Sequence, residues 1–416
     1  ISMFFMSFMV KIRLFVIGDG EMFDFTPAEY RERIKRLQNG LKAKRVDLAI
    51  ISRNSDLYYY TGSAQPLYFV IPADGPGLML ARKAIRRIQT EAEHLNVEAF
   101  NSTKDLLALI KRYQWDQAER VGFTLDNISY ASVQRWRQLI PGAEVVDVSW
   151  EIISLRLVKS EAELRIQARA GEIMAGLPEV VKSGFRPGMS ELELSAVIEK
   201  YMREMGHTGL VRCRREGIEM GLGVCSAGLN SLTGTKFDGV CAGIGTSKAV
   251  SFGAGWAPIP PGAPVTLDYA FNLDGYHVDQ TRMFCWGEPM DEISKAYQRM
   301  IAIEESILDT LQPGAAWENA YRRAEQLAVE YGYTEEFMGL GAEKVRFVGH
   351  GIGLELDEPP FIAPKMEQML EENMVVAVEP KVALAGIGVV GIEDTVIIKQ
   401  AGPELLTPCS KEIILV

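Results

Sequence analysis

Two stretches of the chain put acids where β-strands would bury them, and no other feature constrains the fold as tightly. In PVTLDYAFNLDGYHVDQTR, Asp268 and Asp279 interrupt two apolar strand candidates joined near Asp274-Gly275, a hairpin turn signal. Side chains alternate along a strand, so a two-residue loop puts both carboxylates on one face. VVAVEPKVALAGIGVVGIEDTVII repeats the arrangement: around Gly386-Ile387-Gly388, an odd-numbered loop brings Glu379 and Glu393 to a common face. Burying four carboxylates costs heavily unless cations hold them. Each acid could pair with its own Arg or Lys, or face water. A fifth residue favours a shared cation. Among the four histidines, His350 sits in FVGHGIGLELDEPP, where glycines let the backbone bend and present a side chain to a cleft. Four carboxylates and one imidazole suit two divalent ions with bridging carboxylates. Oxygen-rich ligation favours Mn, Fe or Co over a thiolate-type zinc site.

The rest of the chain sets the frame. A net charge of −11, from 55 acidic against 44 basic residues, argues against a nucleic-acid partner, which needs clustered Lys and Arg. Cys213, Cys225, Cys241, Cys285 and Cys409 form no CxxC pair and fit a reducing cytoplasm. The opening ISMFFMSFMV is apolar but too short to span a bilayer, so no membrane partner is expected. Residues 1–23 read as a leader or an expression-derived segment, with Met22 starting a more ordinary opening.

From 24 to 156 helix and strand patterns alternate, with helices expected at 27–45, 83–94, 104–113 and 129–138 and strands between them, an α/β domain. Near 157 the pattern changes to long helices at 160–184 and 190–205, the second opened by a Ser190/Glu193 capping box. Strands follow at 264–273 and 276–286, helices at 291–312 and 316–331, and strands at 344–349, 374–384, 388–399 and 411–416. This second domain, 157–416, is expected to fold by itself. The Gly-rich stretch 221–255 reads as a substrate-pocket loop, since its GIGTS lacks the strand and helix that a phosphate cradle needs.

The Asp…Asp…His…Glu…Glu order in LDYAFNLDGYHVDQTR, GHGIGLELDEPP, VVAVEPKV and GIEDTVII resembles the pita-bread metallopeptidase family of Xaa-Pro aminopeptidase, prolidase and creatinase. The likeness runs from about 24 to 416. EYRERIKRLQNGLKAKRVDLAIISRNSDLYYYTG is similar to the N-terminal domain of the creatinase and prolidase branch. The implied fold is α/β (α+β), with that N-terminal domain followed by a pita-bread domain. The resemblance implies two divalent metal ions held by Asp268, Asp279, His350, Glu379 and Glu393, with Mn first and Co, Zn or Fe as alternatives. It implies a water activated between the ions and Glu379 as general base and acid. Thr281 would support the site from the Asp279 face. A small peptide substrate and a homodimer belong to the same implication.

Three departures stand out. Where the branch carries Pro-His-Gly before the first Asp ligand, AVSFG places Ser251; where it carries His-Glu-Pro, Asp357 stands; and the Arg before Ile-Glu-Asp is Gly391. The two histidines hold substrate in the family, so Ser251 and Asp357 become candidate substrate-binding residues, and weak Xaa-Pro cleavage is expected. His277 shares a strand face with Asp279 and reads equally as a catalytic substitute or as a hydrogen-bonded strand histidine. Asp357 could also be a surface turn acid. A creatinase-like enzyme for a small non-peptide substrate, or a non-catalytic binding protein, are the alternatives.

Overall fold

The computed structural model describes residues 25–215 and 217–416, so the segment set apart at 1–23 lies outside the described residues. The first helix, Pro27–Ala43, starts where expected, because Thr26 accepts the Glu29 N–H and Pro27 needs no partner for a missing one. Its apolar stripe buries Ile34, Leu37 and Leu41. Six strands follow in a mixed sheet: β1 (Leu48–Ile51), β2 (Tyr68–Pro72), β3 (Leu78–Ala81), β4 (Asn96–Ala99), β5 (Arg120–Phe123) and β6 (Glu144–Asp147). Their order is β4-β3-β2-β1-β5-β6. A helix at Asn54–Thr61 was not legible in NSDLYYYT, whose aromatic residues favour strands. It forms because Leu57, Tyr59 and Tyr60 are buried together, and Gly62, at φ 77°, ends it.

The long helix expected at 160–184 is two helices, Glu161–Met174 and Leu177–Gly184. Pro178 cannot supply an interior N–H, and a Cβ at Gly176 would lie 2.5 Å from the Tyr201 hydroxyl. Helices Glu191–Glu204, Asp291–Leu308 and Trp317–Glu330 lie close to the expected spans. Around them run β7 (Gly223–Ala227), β8 (Val265–Leu273), β9 (Tyr276–Cys285), β10 (Gly349–Gly351), β11 (Glu358–Phe361), β12 (Val375–Val378), β13 (Lys381–Leu384), β14 (Gly388–Gly391), β15 (Asp394–Ile397), β16 (Glu404–Leu405) and β17 (Ile414–Leu415). They form a β17-β9-β8-β7 sheet, a β11-β10-β12-β15-β16 sheet and a β13-β14 pair.

Both acid-bearing hairpins are present. In the first, Leu273 pairs with Tyr276 across Asp274-Gly275, whose φ values of 48° and 91° are those of a tight hairpin turn. The second pairs Lys381 with Gly391 and Val378 with Asp394 on one continuous register. Each long strand expected there is broken once, and the breaks hold Glu379 and Glu393.

The core does not stop at the boundary expected near 156. One apolar cluster includes Leu37, Ile51 and Tyr60 together with Ile166, Leu267 and Tyr276. Beside it, buried Arg156 reaches Asp56 at 2.8 Å and Glu355 at 2.9 Å, and also pairs with Glu358. Arg53 and Ser55 meet Glu355 from the N-terminal side.

Candidate metal centre

The first hairpin points Asp268 and Asp279 to one side, since Asp279 pairs with Ala270, two residues from Asp268. The second hairpin is fastened to it by backbone: Thr281 N–H donates to Glu393 O at 3.3 Å, and Glu393 N–H to Thr281 O at 3.2 Å. That bridge carries Glu379 and Glu393 over the Asp pair. β10 runs beside β12, with His350 opposite Ala377, and brings in the imidazole. Asp268, Asp279, His350, Glu379 and Glu393 thus line one cavity of about 660 Å³. Ligand atoms of Asp279, His350 and Glu393 all lie within 4.8 Å of one another, a spacing that fits a metal ion.

The electrostatics match a site meant for a cation. Burial pushes the Asp279 carboxyl up to about 7, with the charge of Asp268 adding to it. Burial, then Asp279, raises Glu393 well above the carboxylate range. Glu393 Oε2 accepts the Thr281 hydroxyl at 2.8 Å, whereas Oε1 is buried without a hydrogen-bond partner among the described residues. A buried acceptor left open beside two other donors is what a bound cation satisfies.

Sequence reasoning missed a sixth member. Lys381 is 1% exposed, and its Nζ lies 2.6 Å from Glu379 Oε2, 3.1 Å from Glu393 Oε2 and 3.1 Å from Asp268 Oδ2. Burial alone would depress its ammonium, but Asp268, Glu379 and Glu393 outweigh that and hold it charged. The signal was available: Lys381 lies two residues after Glu379, which alternation puts on the same face.

The other candidates divide. Asp357 lines the cavity; burial raises its carboxyl against the opposing pull of His350, and Oδ1 has no hydrogen-bond partner among the described residues. Ser251 is exposed and outside the lining, where its neighbour Phe252 stands instead. His277 does not join the ligands. Its Nδ1 faces Gly353 O at 2.9 Å, and its Nε2 meets the Arg212 N–H at 3.2 Å and Asn272 at 2.9 Å. Both ring nitrogens are occupied, and burial lowers the imidazole to about 4, so it is a neutral strand histidine. The loop 221–255 does wall the cavity, through Phe237, Val240 and Phe252 among others.

This assembly belongs to a known class: residues 165–400 match the model of Metallopeptidase family M24, and the chain is a member of that family. Residues 33–158 match the Creatinase/Prolidase N-terminal domain. The chain is 25% identical over 393 residues to the Xaa-Pro dipeptidase of Pyrococcus furiosus, covering 92% of this chain and 100% of that protein. The solved Xaa-Pro dipeptidase from Bacillus anthracis superposes with a TM-score of 0.77 at 26% identity, covering 93% of this chain and 100% of the other. The prolidase from Pyrococcus horikoshii shares the fold at a TM-score of 0.77 and 23% identity, covering 92% and 99%. The protein is a metallopeptidase-type hydrolase by family, and among the described residues no helix is long and apolar enough to cross a membrane.

Proposed function

We propose that the chain is a divalent-metal-dependent hydrolase that cleaves a peptide or amide bond in a small substrate, the first candidates being dipeptides and short N-terminal peptides. The observation that carries the reading is the convergence of Asp279, His350 and Glu393 at the base of the cavity. A divalent ion held there, Mn first and Co, Zn or Fe after it, would supply a Lewis acid that makes water nucleophilic near neutral pH and polarises the scissile carbonyl. The protein's own groups do the rest. Glu379 is held by Lys381 through Oε2, leaving Oε1 3.6 Å from His350 Nε2, and it takes and returns the proton. Thr281 fixes the orientation of Glu393. Phe237, Phe252 and Phe361 give the cavity apolar walls.

Asp357 stands where the resemblance leads one to expect a histidine. While ionised, Asp357 repels rather than stabilises a developing oxyanion. It recognises a cationic or hydrogen-bond-donating group on the substrate, so Xaa-Pro cleavage is weak. The same reading takes the chain to be a cytoplasmic homodimer, in keeping with five free cysteines and with apolar Ile244 and Val250 exposed on the loop and Trp256 just beyond it.

The test is a panel of Xaa-Pro dipeptides, tripeptides and small amides assayed on Mn-, Co- and Zn-loaded protein. Asp279→Ala and Glu393→Ala should each lose most of the bound metal and the activity. Efficient Xaa-Pro cleavage would refute the role given to Asp357, and absence of metal would refute the hydrolase.

A further inference from the structure

We infer that the Lys381 ammonium takes the place of one ion, so that this centre holds a single divalent cation on Asp279, His350 and Glu393. The inference rests on the hydrolase reading above and deepens it. Of the three N–H donors of an ammonium, Nζ gives one to Glu379 and one to Glu393, and it forms an ion pair with Asp268 at 3.1 Å. Those oxygens are the ones a second ion would need. Lys381 therefore splits the shared glutamates. Glu393 gives Oε2 to Lys381 and Thr281 and keeps Oε1 open, while Glu379 gives Oε2 to Lys381 and turns Oε1 towards His350.

Two further observations show that the lysine is built in. Its cross-strand partner is Gly391, where a Cβ would lie 2.3 Å from Lys381 Cγ and 2.9 Å from its Cα, so only glycine leaves it a path. The arginine that the resemblance leads one to expect at 391 is missing, and the positive charge stands on the facing residue instead. The charge balance agrees. Four carboxylates against one ammonium and one divalent ion leave a single negative charge. A second divalent ion beside the ammonium would reverse the sign and set two cations among the same acids.

The experiment measures metal content after loading the full-length protein with excess Mn(II) or Co(II) and desalting it, with Mn(II) electron paramagnetic resonance as the second readout. The expected result is one ion per chain with an uncoupled Mn(II) spectrum. Lys381→Ala, checked for folding by circular dichroism, should take up a second ion and show spin coupling between the two. Two ions per wild-type chain with a coupled spectrum would overturn the inference while leaving the hydrolase reading intact. A folded Lys381→Ala that still takes one ion would also overturn it. No ion in the wild type would instead defeat the hydrolase reading itself, and the single-ion centre with it. Should Lys381→Ala not fold, the wild-type stoichiometry and spectrum decide alone.

Discussion

Replacing Arg156 with methionine should destabilise both domains together. Its guanidinium is 2% exposed and meets Asp56 and Glu355 at 2.8 and 2.9 Å, with Glu358 as a third partner. Burial would push Glu355 up, but Arg156, Arg53 and Arg214 outweigh it and hold the carboxyl well below the usual range. Asp56 is already raised by burial despite Arg156 and Arg214, the latter 3.5 Å away. Methionine fills the volume but supplies no charge. Among the described residues Asp56 then keeps only that 3.5 Å partner, and Glu358 keeps only Lys159 at 3.0 Å. Removing one member of a buried ion pair costs about 3–5 kcal/mol, a large part of a total stability of about 5–15 kcal/mol. Because Asp56 belongs to one domain and Glu355 to the other, the loss falls on their joint. Urea unfolding followed by far-ultraviolet circular dichroism and by tryptophan fluorescence measures it, since Trp115 and Trp136 lie on one side and Trp286 and Trp317 on the other. The expected result is one coincident transition, in wild type and variant alike, shifted by that amount. Two separated transitions, or a loss below about 1 kcal/mol, would refute the reasoning. By the same argument a 157–416 fragment, expected from sequence to fold, would expose half of a shared core and leave Glu355 without Arg156 and Arg53; it should be unfolded or aggregated when expressed alone.

Gly391→Ala would drive a methyl group into Lys381, at the cost of overpacking, about 1–3 kcal/mol, and a disturbed metal content, both measurable by thermal unfolding and elemental analysis. Thr281→Val should keep the fold yet lower metal affinity about 10–100-fold by freeing Glu393 to rotate, as isothermal titration with Mn(II) would show. His207, whose Nδ1 accepts the Gly209 N–H at 2.9 Å, is lowered to about 4 by burial, against the Ala270 contact that opposes it. Its stabilising share is therefore present above the unfolded value near 6.5 and lost as pH falls through 4. Unfolding curves from pH 7 to 4 should flatten in His207→Gln, and an unchanged slope would remove His207 as the cause.

How much of this was legible follows from the range of each interaction. The hairpins at 268–279 and 379–393 could be read because strand alternation and turn chemistry are local, and a buried acid in an apolar strand advertises a cation whatever the fold. Alternation likewise assigned Thr281 to the Asp279 face, and the same rule would have put Lys381 beside Glu379 had its charge been weighed against the four acids. The Asn54–Thr61 helix was hidden because its formation depends on burial against other elements rather than on its own propensities. His277 shows the limit from the other side: its face was legible, but not that Gly353, Arg212 and Asn272 would occupy both nitrogens. The sequence by itself determined which residues could form a cation site and on which faces they lie. The tertiary structure alone decided which cation meets which oxygen, because that depends on hairpins far apart in the chain being pinned at Thr281 and Glu393, and on one glycine leaving space for one lysine.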